Sequence, residues 1–264
     1  MKYLQLVMGS AGVGKSTYCR AAQDAGRAGG RRVRVVSLDP AAESFGYEAA
    51  ADVRELVSVD DVMSELGLGP NGALLWALEH VLEERSWLES VLDDALEDDT
   101  LLLDCPGCVE LYSHVPLLPR LAAAATARGF SVAAVYLVDA HFVTDAAKLI
   151  AGSLAALAAM AHFELPHVNV LSKCDLIDKD VLERYLQPAG NALVGELNRS
   201  MGARFHRLNE ALARIVSGRA GERGSAAAVL SLSSRRKEKI DACAPPPLLP
   251  SLTSTTWWAS CRST

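Results

Sequence analysis

The chain has 264 residues, of which 50% are hydrophobic and 22% are charged. This composition predicts a globular protein with a sizeable core, and the length suits one α/β domain or two small ones. The net charge of −6 argues against a surface that binds nucleic acid directly, because such surfaces are basic.

The chain begins with a short apolar run that leads into the glycine-rich sequence Gly9-Ser-Ala-Gly-Val-Gly-Lys-Ser16. The pattern G-x-x-x-x-G-K-S between a strand and a helix predicts a phosphate-binding loop, because the glycines let backbone N–H groups converge on an anion at a helix N-terminus. Lys15 is expected to reach the β- and γ-phosphates, and the Ser16 hydroxyl to bind Mg²⁺. The nucleotide-binding residues predicted from this loop are Gly12, Val13, Gly14, Lys15, Ser16 and Thr17.

Strand-like and helix-like segments alternate along the chain. Near-continuous Val and Leu runs predict parallel strands that are buried on both faces. The strands are expected over residues 4–8, 33–38, 100–103, 132–138 and 168–171, and the helices over 16–28, 72–84, 87–96, 115–128, 144–161 and 191–216. This order predicts an α/β fold with a doubly wound, mostly parallel sheet, as in P-loop NTPases.

Two stretches depart from the alternation. Residues 44–99 are too long for a simple crossover, and we predict a mostly helical insertion there. After residue 217 the composition changes to a linker, a weak strand over 226–232, a short basic cluster, and a tail rich in Pro, Ser and Thr. We therefore predict one nucleotide-binding domain over 1–217 and, over 218–264, a linker, the weak strand and a disordered tail.

Nothing in the sequence indicates secretion or a membrane partner. The first apolar run is only a strand long, so no signal peptide is expected. The longest segment of low polarity, residues 149–161, is shorter than the roughly 20 residues that cross a bilayer and is expected to be a buried helix. We expect a cytoplasmic protein whose six cysteines are reduced.

The third predicted strand ends in Asp104, which is followed by Cys105-Pro106-Gly107. A carboxylate at the end of this strand, close to the phosphate loop, is expected to hold Mg²⁺, commonly through water. Gly107 has no side chain and would bring a backbone N–H close to the γ-phosphate. Ser16 and Asp104 are therefore the predicted metal-binding pair.

The fifth predicted strand ends in Ser172-Lys173-Cys174-Asp175, which is similar to the guanine-reading motif N-K-x-D. Asp175 would accept hydrogen bonds from the two guanine donors, a pair that adenine lacks. The Lys173 stem would lie along the base plane, and Ser172 stands where the motif usually has Asn. The motif predicts GTP as the nucleotide.

The second predicted strand leads into Asp39 and Pro40, and two interpretations of Asp39 stay open. Its carboxylate would orient or deprotonate an attacking water. Alternatively, Asp39 caps a helix in which Pro40 occupies the first position.

These motifs, in this order and together with Gly69-Pro70-Asn71, resemble the GPN-loop GTPase family over about residues 3–216. The resemblance implies GTP hydrolysis with Mg²⁺ by a homodimer, or by a heterodimer with another member such as the family's first paralogue. Gly69, Pro70 and Asn71 would form a loop that crosses to the partner, where Asn71 touches phosphate. Taken without the resemblance, the residues favour a helix-capping turn, because Asn71 precedes a predicted helix. RNA polymerase II subunits as clients, nuclear import, and shuttling to the nucleus are implied by analogy.

The resemblance implies catalytic roles for Asp39, Asn71, Asp104, Cys108 and Glu110. Cys108 occupies the position at which the family has a Gln that positions the attacking water. A thiol is a shorter and weaker hydrogen-bonding group than an amide, so we expect slow hydrolysis with nucleotide binding retained. The family's closing strand and helix also have no clear counterpart in the tail, which predicts reduced stability or reliance on the partner.

Three alternatives remain at this stage. The first is a non-catalytic assembly factor that uses GTP only to stabilise a heterodimer. The second is a P-loop kinase, which is disfavoured because residues 44–99 contain only two arginines and no Arg-rich lid. The third is a redox or zinc role for the C-x-x-C pair Cys105 and Cys108, which is disfavoured because zinc needs a second pair of ligands.

Overall fold

The computed structural model describes residues 1–178, 181 and 190–218, and the structural statements below refer to these residues. The strands are β1 (Lys2–Gly9), β2 (Val33–Ser37), β3 (Ala49–Asp52), β4 (Thr100–Asp104), β5 (Phe130–Asp139) and β6 (His167–Ser172). They form one six-stranded sheet in the order β3-β2-β4-β1-β5-β6, and every neighbouring pair is parallel. The predicted α/β class and parallel sheet are confirmed.

Helices fill the connections between the strands. They are α1 (Lys15–Ala28), α2 (Val59–Leu66), α3 (Pro70–Glu83), α4 (Arg85–Asp93), α5 (Glu110–Ser113), α6 (Leu117–Ala127), α7 (Ala146–Phe163), α8 (Gly190–Ser200) and α9 (His206–Gly218). Short 3₁₀ turns occur at Val53–Glu55, Ala140–Thr144, Cys174–Leu176 and Ala203–Phe205.

Both faces of the sheet are covered, because successive side chains of a strand point to opposite faces. Along β1, Leu6 and Met8 belong to a large core that includes residues of α3 to α7. Val7 belongs instead to a second core beneath α1, which also includes Val35 and Leu102. This double burial explains why the strands are nearly continuous in Val and Leu.

The register of the central strands brings the predicted motifs to one edge of the sheet. Val7 pairs with Asp104, so the phosphate loop emerges directly beside the end of β4. Ser37 pairs with Asp104 from the other side, and the chain continues from Ser37 into Asp39. The carboxyl ends of β2, β4 and β1 therefore meet, as expected for a ligand site in a parallel α/β sheet.

Strand β3 was missed by the sequence prediction, which treated residues 44–99 as mostly helical. Its sequence, Ala-Ala-Ala-Asp, lacks the β-branched and aromatic residues that mark a strand. It lies at the sheet edge and forms through backbone pairing with β2. The helical part of the insertion is therefore confined to α2, α3 and α4.

The helix predicted over 191–216 is in fact two helices, α8 and α9. Gly202 lies between them with an extended backbone, φ −64° and ψ 155°, which is incompatible with a continuous helix. Leu193 and Leu197 of α8 and Ala213 of α9 pack against α7. The predicted linker, weak strand and tail after residue 218 lie outside the described residues.

Helix α7 contains the apolar segment noted above and is 18 residues long, with a mean hydropathy of 1.5. Among the described residues it is the one helix whose length and composition would also allow it to cross a membrane. Core helices of soluble proteins share these properties. Here Ala156, Ala159 and Phe163 are buried in the large core of the sheet, as expected for a buried helix.

Candidate functional site

The phosphate loop joins β1 to α1 and has the backbone that its glycines permit. Gly14 caps α1 with φ 101° and ψ 26°, a left-handed conformation that side chains disfavour. Val13 is turned into the core, with 1% of its surface exposed, and anchors the loop from below. Lys15 is buried to 8% exposure, and its Nζ lies 3.4 Å from the carbonyl oxygen of Ser10. Lys15 forms no ion pair with any described carboxylate, which leaves its charge for an anionic ligand.

Ser16 and Asp104 are brought together at the foot of this loop. The Ser16 hydroxyl donates a hydrogen bond of 2.8 Å to Oδ2 of Asp104. Asp104 is only 3% exposed, and its other oxygen, Oδ1, is buried with no hydrogen-bond partner. Burial raises the pKa of Asp104, although hydrogen bonds from Ser16 and Tyr47 oppose the shift.

The Ser16 hydroxyl and the Asp104 carboxylate are suitable ligands for a hard divalent cation such as Mg²⁺. Mg²⁺ takes oxygen ligands and is usually held by one or two protein groups together with water and phosphate. A buried carboxylate oxygen without a partner, beside a hydroxyl at the start of a helix, offers that donor set. Among the described residues, no group of three or more His, Cys, Asp or Glu side chains could hold a metal ion.

Tyr47 is part of this site, although sequence reasoning missed it. Its hydroxyl donates a hydrogen bond of 3.0 Å to the same oxygen of Asp104 that Ser16 contacts. The ring is 8% exposed and stacks on Phe45, with 5.2 Å between the centroids. The only available signal would have been two aromatic residues in an otherwise polar and small segment just before β3.

Asp39 lies at the edge of the same site. No helix follows it, so the alternative that Asp39 caps a helix is wrong. Its Oδ1 instead accepts a hydrogen bond of 3.0 Å from the N–H of Ala41, which closes a turn. The N–H of Leu38 donates to the carbonyl oxygen of Asp104 at 2.9 Å, which keeps Asp39 beside the end of β4.

The turn after Asp104 is packed against the phosphate loop. A Cβ at Gly107 would lie 2.7 Å from Cα of Ala11, so only glycine fits at this close approach. Tyr112 binds the loop from beneath, because its hydroxyl contacts the carbonyl oxygens of Pro106 and Gly9. The turn after Asp104 and the phosphate loop are therefore in direct contact, so a movement of one would displace the other.

Cys108 and Glu110 contact each other rather than any group of the phosphate loop. Sγ of Cys108 donates a hydrogen bond of 2.9 Å to Oε2 of Glu110. Burial and the neighbouring Glu110 raise the pKa of the Cys108 thiol, which keeps it protonated. Burial also raises the pKa of Cys105, which is fully buried. Cys105 is buried and Cys108 is half-buried, and thiols with raised pKa values are typical of structural cysteines rather than of redox pairs.

The residues of the guanine-like motif follow β6. Ser172 is buried, and its hydroxyl donates to the carbonyl oxygen of Val138 at 3.3 Å. Lys173 has a left-handed backbone with φ 58°, and its Nζ lies 2.8 Å from Oδ2 of Asp139. Burial acts to raise the pKa of Asp139, but hydrogen bonds from Lys173 and His141 lower it overall, so the pair is ionic. Asp175 is exposed at the end of this turn.

The Gly69-Pro70-Asn71 segment forms the start of α3. Gly69 is the N-cap, Pro70 is the first helical residue, and all three residues are exposed. The side chain of Asn71 makes no hydrogen bond to the described residues, and α3 has no side-chain cap. The segment is therefore a helix-capping turn, as the sequence alone allows, with Gly69 rather than Asn71 at the N-cap position. Asn71 presents a free amide near an exposed helix N-terminus.

The parallel sheet, the phosphate loop and the Ser16–Asp104 pair define a P-loop nucleotide-binding protein. A family model described as a conserved hypothetical ATP binding protein matches residues 7–242. GPN-loop GTPase 3 from Eremothecium gossypii is 45% identical over 216 residues, covering 80% of this chain and 79% of the relative. GPN-loop GTPase 3 from Saccharomyces cerevisiae is 44% identical over 218 residues, covering 80% of each chain.

The chain belongs to the GPN-loop GTPase family, which confirms the resemblance found in the sequence. A solved structure leads to the same fold. The crystal structure of a GTPase in its apo form from Pyrococcus abyssi matches with a TM-score of 0.67 and 25% identity, covering 80% of this chain and 84% of that one.

The raised pKa of Asp104 leads to a prediction about stability. Burying the charged carboxylate of Asp104 lowers the free energy of unfolding. This loss of stability is absent at a pH below the usual carboxyl pKa and is fully present above the raised pKa of the folded protein. Without nucleotide and Mg²⁺, Asp104→Asn should therefore melt at a higher temperature than the wild type at pH 7.5, and the gap should close as the pH falls. The exposed Glu97→Gln is the control and should show no such gap. A variant less stable than the wild type at pH 7.5 would contradict this prediction.

Proposed function

We propose that the protein binds GTP with Mg²⁺ and hydrolyses it slowly, as a dimer whose GPN loops cross between protomers. The observation that supports this most strongly is the hydrogen bond from Ser16 to the buried Asp104, whose other carboxylate oxygen has no hydrogen-bond partner, beside a phosphate loop. Family membership supports a nucleotide hydrolase of this class.

Each group at the site has a defined task under this proposal. The loop N–H groups and Lys15 bind the phosphates, and Ser16 and Asp104 hold the magnesium ion. When bound, Mg²⁺ neutralises part of the charge on the β- and γ-phosphates. Asp39, half-buried at the site edge, orients the attacking water or accepts its proton.

The choice of base depends on Asp175. The family model's description names ATP, whereas the similar proteins are called GTPases. We favour guanine because the exposed carboxylate of Asp175, in the turn after β6, can accept both guanine donors, whereas adenine offers no such donor pair. The Lys173–Asp139 ion pair holds the turn in which Asp175 lies.

Asp175→Asn tests the base assignment. Xanthine carries an oxygen where guanine has its 2-amino group, so an amide in place of the carboxylate should favour xanthosine triphosphate. We expect the dissociation constant for GTP to rise about tenfold or more, the loss of roughly 1.5–3 kcal/mol for a hydrogen bond to a charged group. Affinity for xanthosine triphosphate should rise in the same variant, measured by calorimetry. Asp178→Asn removes a nearby exposed charge as a control, and equal effects of the two variants would refute the assignment.

Slow hydrolysis is proposed from Cys108. In this structure the Cys108 thiol donates a hydrogen bond to Glu110. A thiol also lacks the amide group that could hold a water at the γ-phosphate. The same observation favours a second function, that of an assembly factor in which bound GTP only stabilises a heterodimer. The two functions differ in whether single-turnover hydrolysis occurs when the partner is present.

Cys108→Gln should speed hydrolysis, because the amide restores a donor and an acceptor near the attacking water. One such group contributes roughly 10²–10³ in rate when fully aligned, so we expect a gain of about tenfold or more in single-turnover assays. Cys108→Ser is the matched control, since it is polar but too short. An equal rate in all three proteins would show that position 108 does not limit hydrolysis.

The dimer is proposed from the GPN loop. Asn71 is exposed, makes no hydrogen bond to the described residues, and lies beside a helix N-terminus, which favours contact with an anion outside its own domain. The partner is a second copy or another family member, such as the first paralogue. We also propose that the protein acts in the assembly and nuclear import of RNA polymerase II, and that it is cytoplasmic and shuttles to the nucleus.

A mixing experiment tests whether Asn71 acts across the dimer. Lys15→Ala and Asn71→Ala should each be inactive alone, but their mixture should recover hydrolysis. In a mixed dimer, one site combines the intact Lys15 of one protomer with the intact Asn71 of the other. Glu79→Ala, an exposed change elsewhere on α3, is the control and should stay active alone. A mixture that sediments as dimers yet stays inactive would mean that Asn71 serves its own site.

A further inference from the structure

The orientation of Asp104 is set by two hydrogen bonds that converge on one oxygen. Oδ2 accepts from Ser16 at 2.8 Å and from Tyr47 at 3.0 Å, while Oδ1 accepts none. Two donors on the same side favour this orientation of the carboxylate plane. One oxygen is then occupied by hydrogen bonds, and the other is left for a further ligand.

We propose that Tyr47 is a positioning residue for the metal site, whose hydroxyl turns Asp104 so that Oδ1 is presented to the magnesium ion or its water. This inference rests on the proposed Mg²⁺-dependent binding of nucleotide. Mutation of an outer group that holds a metal ligand typically weakens metal affinity about 10–100-fold. The Ser16 hydroxyl can bind the ion through its oxygen and still donate its proton to Oδ2, so Tyr47 supplies a second donor that does not itself contact the ion.

One side of Tyr47 is fixed to the helix that follows the phosphate loop. Gln23 of α1, 6% exposed, donates to the carbonyl oxygen of Glu48 at 2.9 Å. The N–H of Glu48 donates back to Oε1 of Gln23 at 3.0 Å. The Gln23 side chain thus makes two hydrogen bonds to the backbone of Glu48, one to its C=O and one from its N–H, and these hold the backbone next to Tyr47 in place. The Tyr47 hydroxyl is therefore positioned relative to the helix that carries Ser16.

The other side of Tyr47 is fixed through its aromatic neighbour. Phe45 stacks on Tyr47 with an angle of 19° between the rings, and the Arg54 guanidinium lies 4.4 Å from the Phe45 centroid. Arg54 is in turn held by Asp52 of β3 at 2.6 Å and donates to the carbonyl oxygen of Ala42 at 2.7 Å. These contacts link the segment that follows Asp39 to the sheet edge.

The alternative is that Tyr47 acts by packing alone. Buried tyrosine hydroxyls generally find a partner, so the bond to Asp104 has to be separated from the burial of the ring. Tyr47→Phe keeps the ring and its stacking on Phe45 and removes only the hydroxyl. Tyr18→Phe is the matched control, because it removes a hydroxyl that donates to Gln5 at 3.2 Å, away from Asp104.

The experiment measures Mn²⁺ binding by electron paramagnetic resonance, with the full chain saturated with GDP. Tyr47→Phe should weaken Mn²⁺ binding roughly 10–100-fold, while its GDP affinity in EDTA stays within about twofold of the wild type. Tyr18→Phe should match the wild type in both measurements. A Mn²⁺ affinity in Tyr47→Phe that is unchanged, or tighter than in the wild type, overturns the inference.

A second variant applies if Tyr47→Phe does not fold. Gln23→Met removes the two hydrogen bonds to Glu48 and keeps the Tyr47 hydroxyl. It should weaken Mn²⁺ binding, but by less than Tyr47→Phe is expected to. Unchanged Mn²⁺ binding in Gln23→Met overturns the inference. Failure of the proposed function has a different signature, since the wild type would then bind neither GDP nor Mn²⁺.

Discussion

The contact between Ser16 and Asp104 is the interaction on which the rest of the site depends. It joins the first turn of α1 to the end of β4, and it exists because β1 and β4 are parallel neighbours in register. The sheet buries Asp104 as a consequence, which raises its pKa and leaves one oxygen without a partner. A buried carboxylate in this state lowers the stability of the free protein and is relieved by a cation. Stability and ligand binding are therefore opposed at this residue.

Two other segments are arranged around this contact. The turn at Gly107 packs against Ala11 of the phosphate loop, and Tyr47 reaches Asp104 from the segment before β3. Each segment would contact the nucleotide or its metal on one side and the remainder of the domain on the other. The exposed Gly69-Pro70-Asn71 turn starts the helix α3, which packs into the core of the insertion and into the main core.

Much of the fold could be read from the sequence because the central strands are buried on both faces. This burial demands Val and Leu runs, and the five predicted strands are all present. Strand β3 was not predicted because this edge strand, which has three alanines, is held by backbone pairing with β2. Backbone pairing produces no recognisable pattern of side chains in the sequence. The break before α9 was missed because helical periodicity continues on both sides of Gly202.

The site was predictable where its chemistry is local and was missed where it depends on distant contacts. The phosphate loop carries its whole signature within eight residues, so the positions of Lys15 and Ser16 followed directly. Tyr47 and Asp139 act on Asp104 and Lys173 from segments that are far apart in the chain. Only the pairing of strands brings them together, and no spacing rule encodes that pairing.

The most direct test of the account is a crystal structure of the protein with Mg²⁺ and a non-hydrolysable GTP analogue. The account predicts phosphates within the loop of residues 9–16, a metal ion ~2.1 Å from Oγ of Ser16, and Oδ1 of Asp104 bound to that ion or to one of its waters. The Ser16 hydroxyl would bind the metal through its oxygen, while the Tyr47 hydroxyl remains on Oδ2 of Asp104. A nucleotide bound away from this loop, or an ion that contacts neither Ser16 nor Asp104, would contradict it.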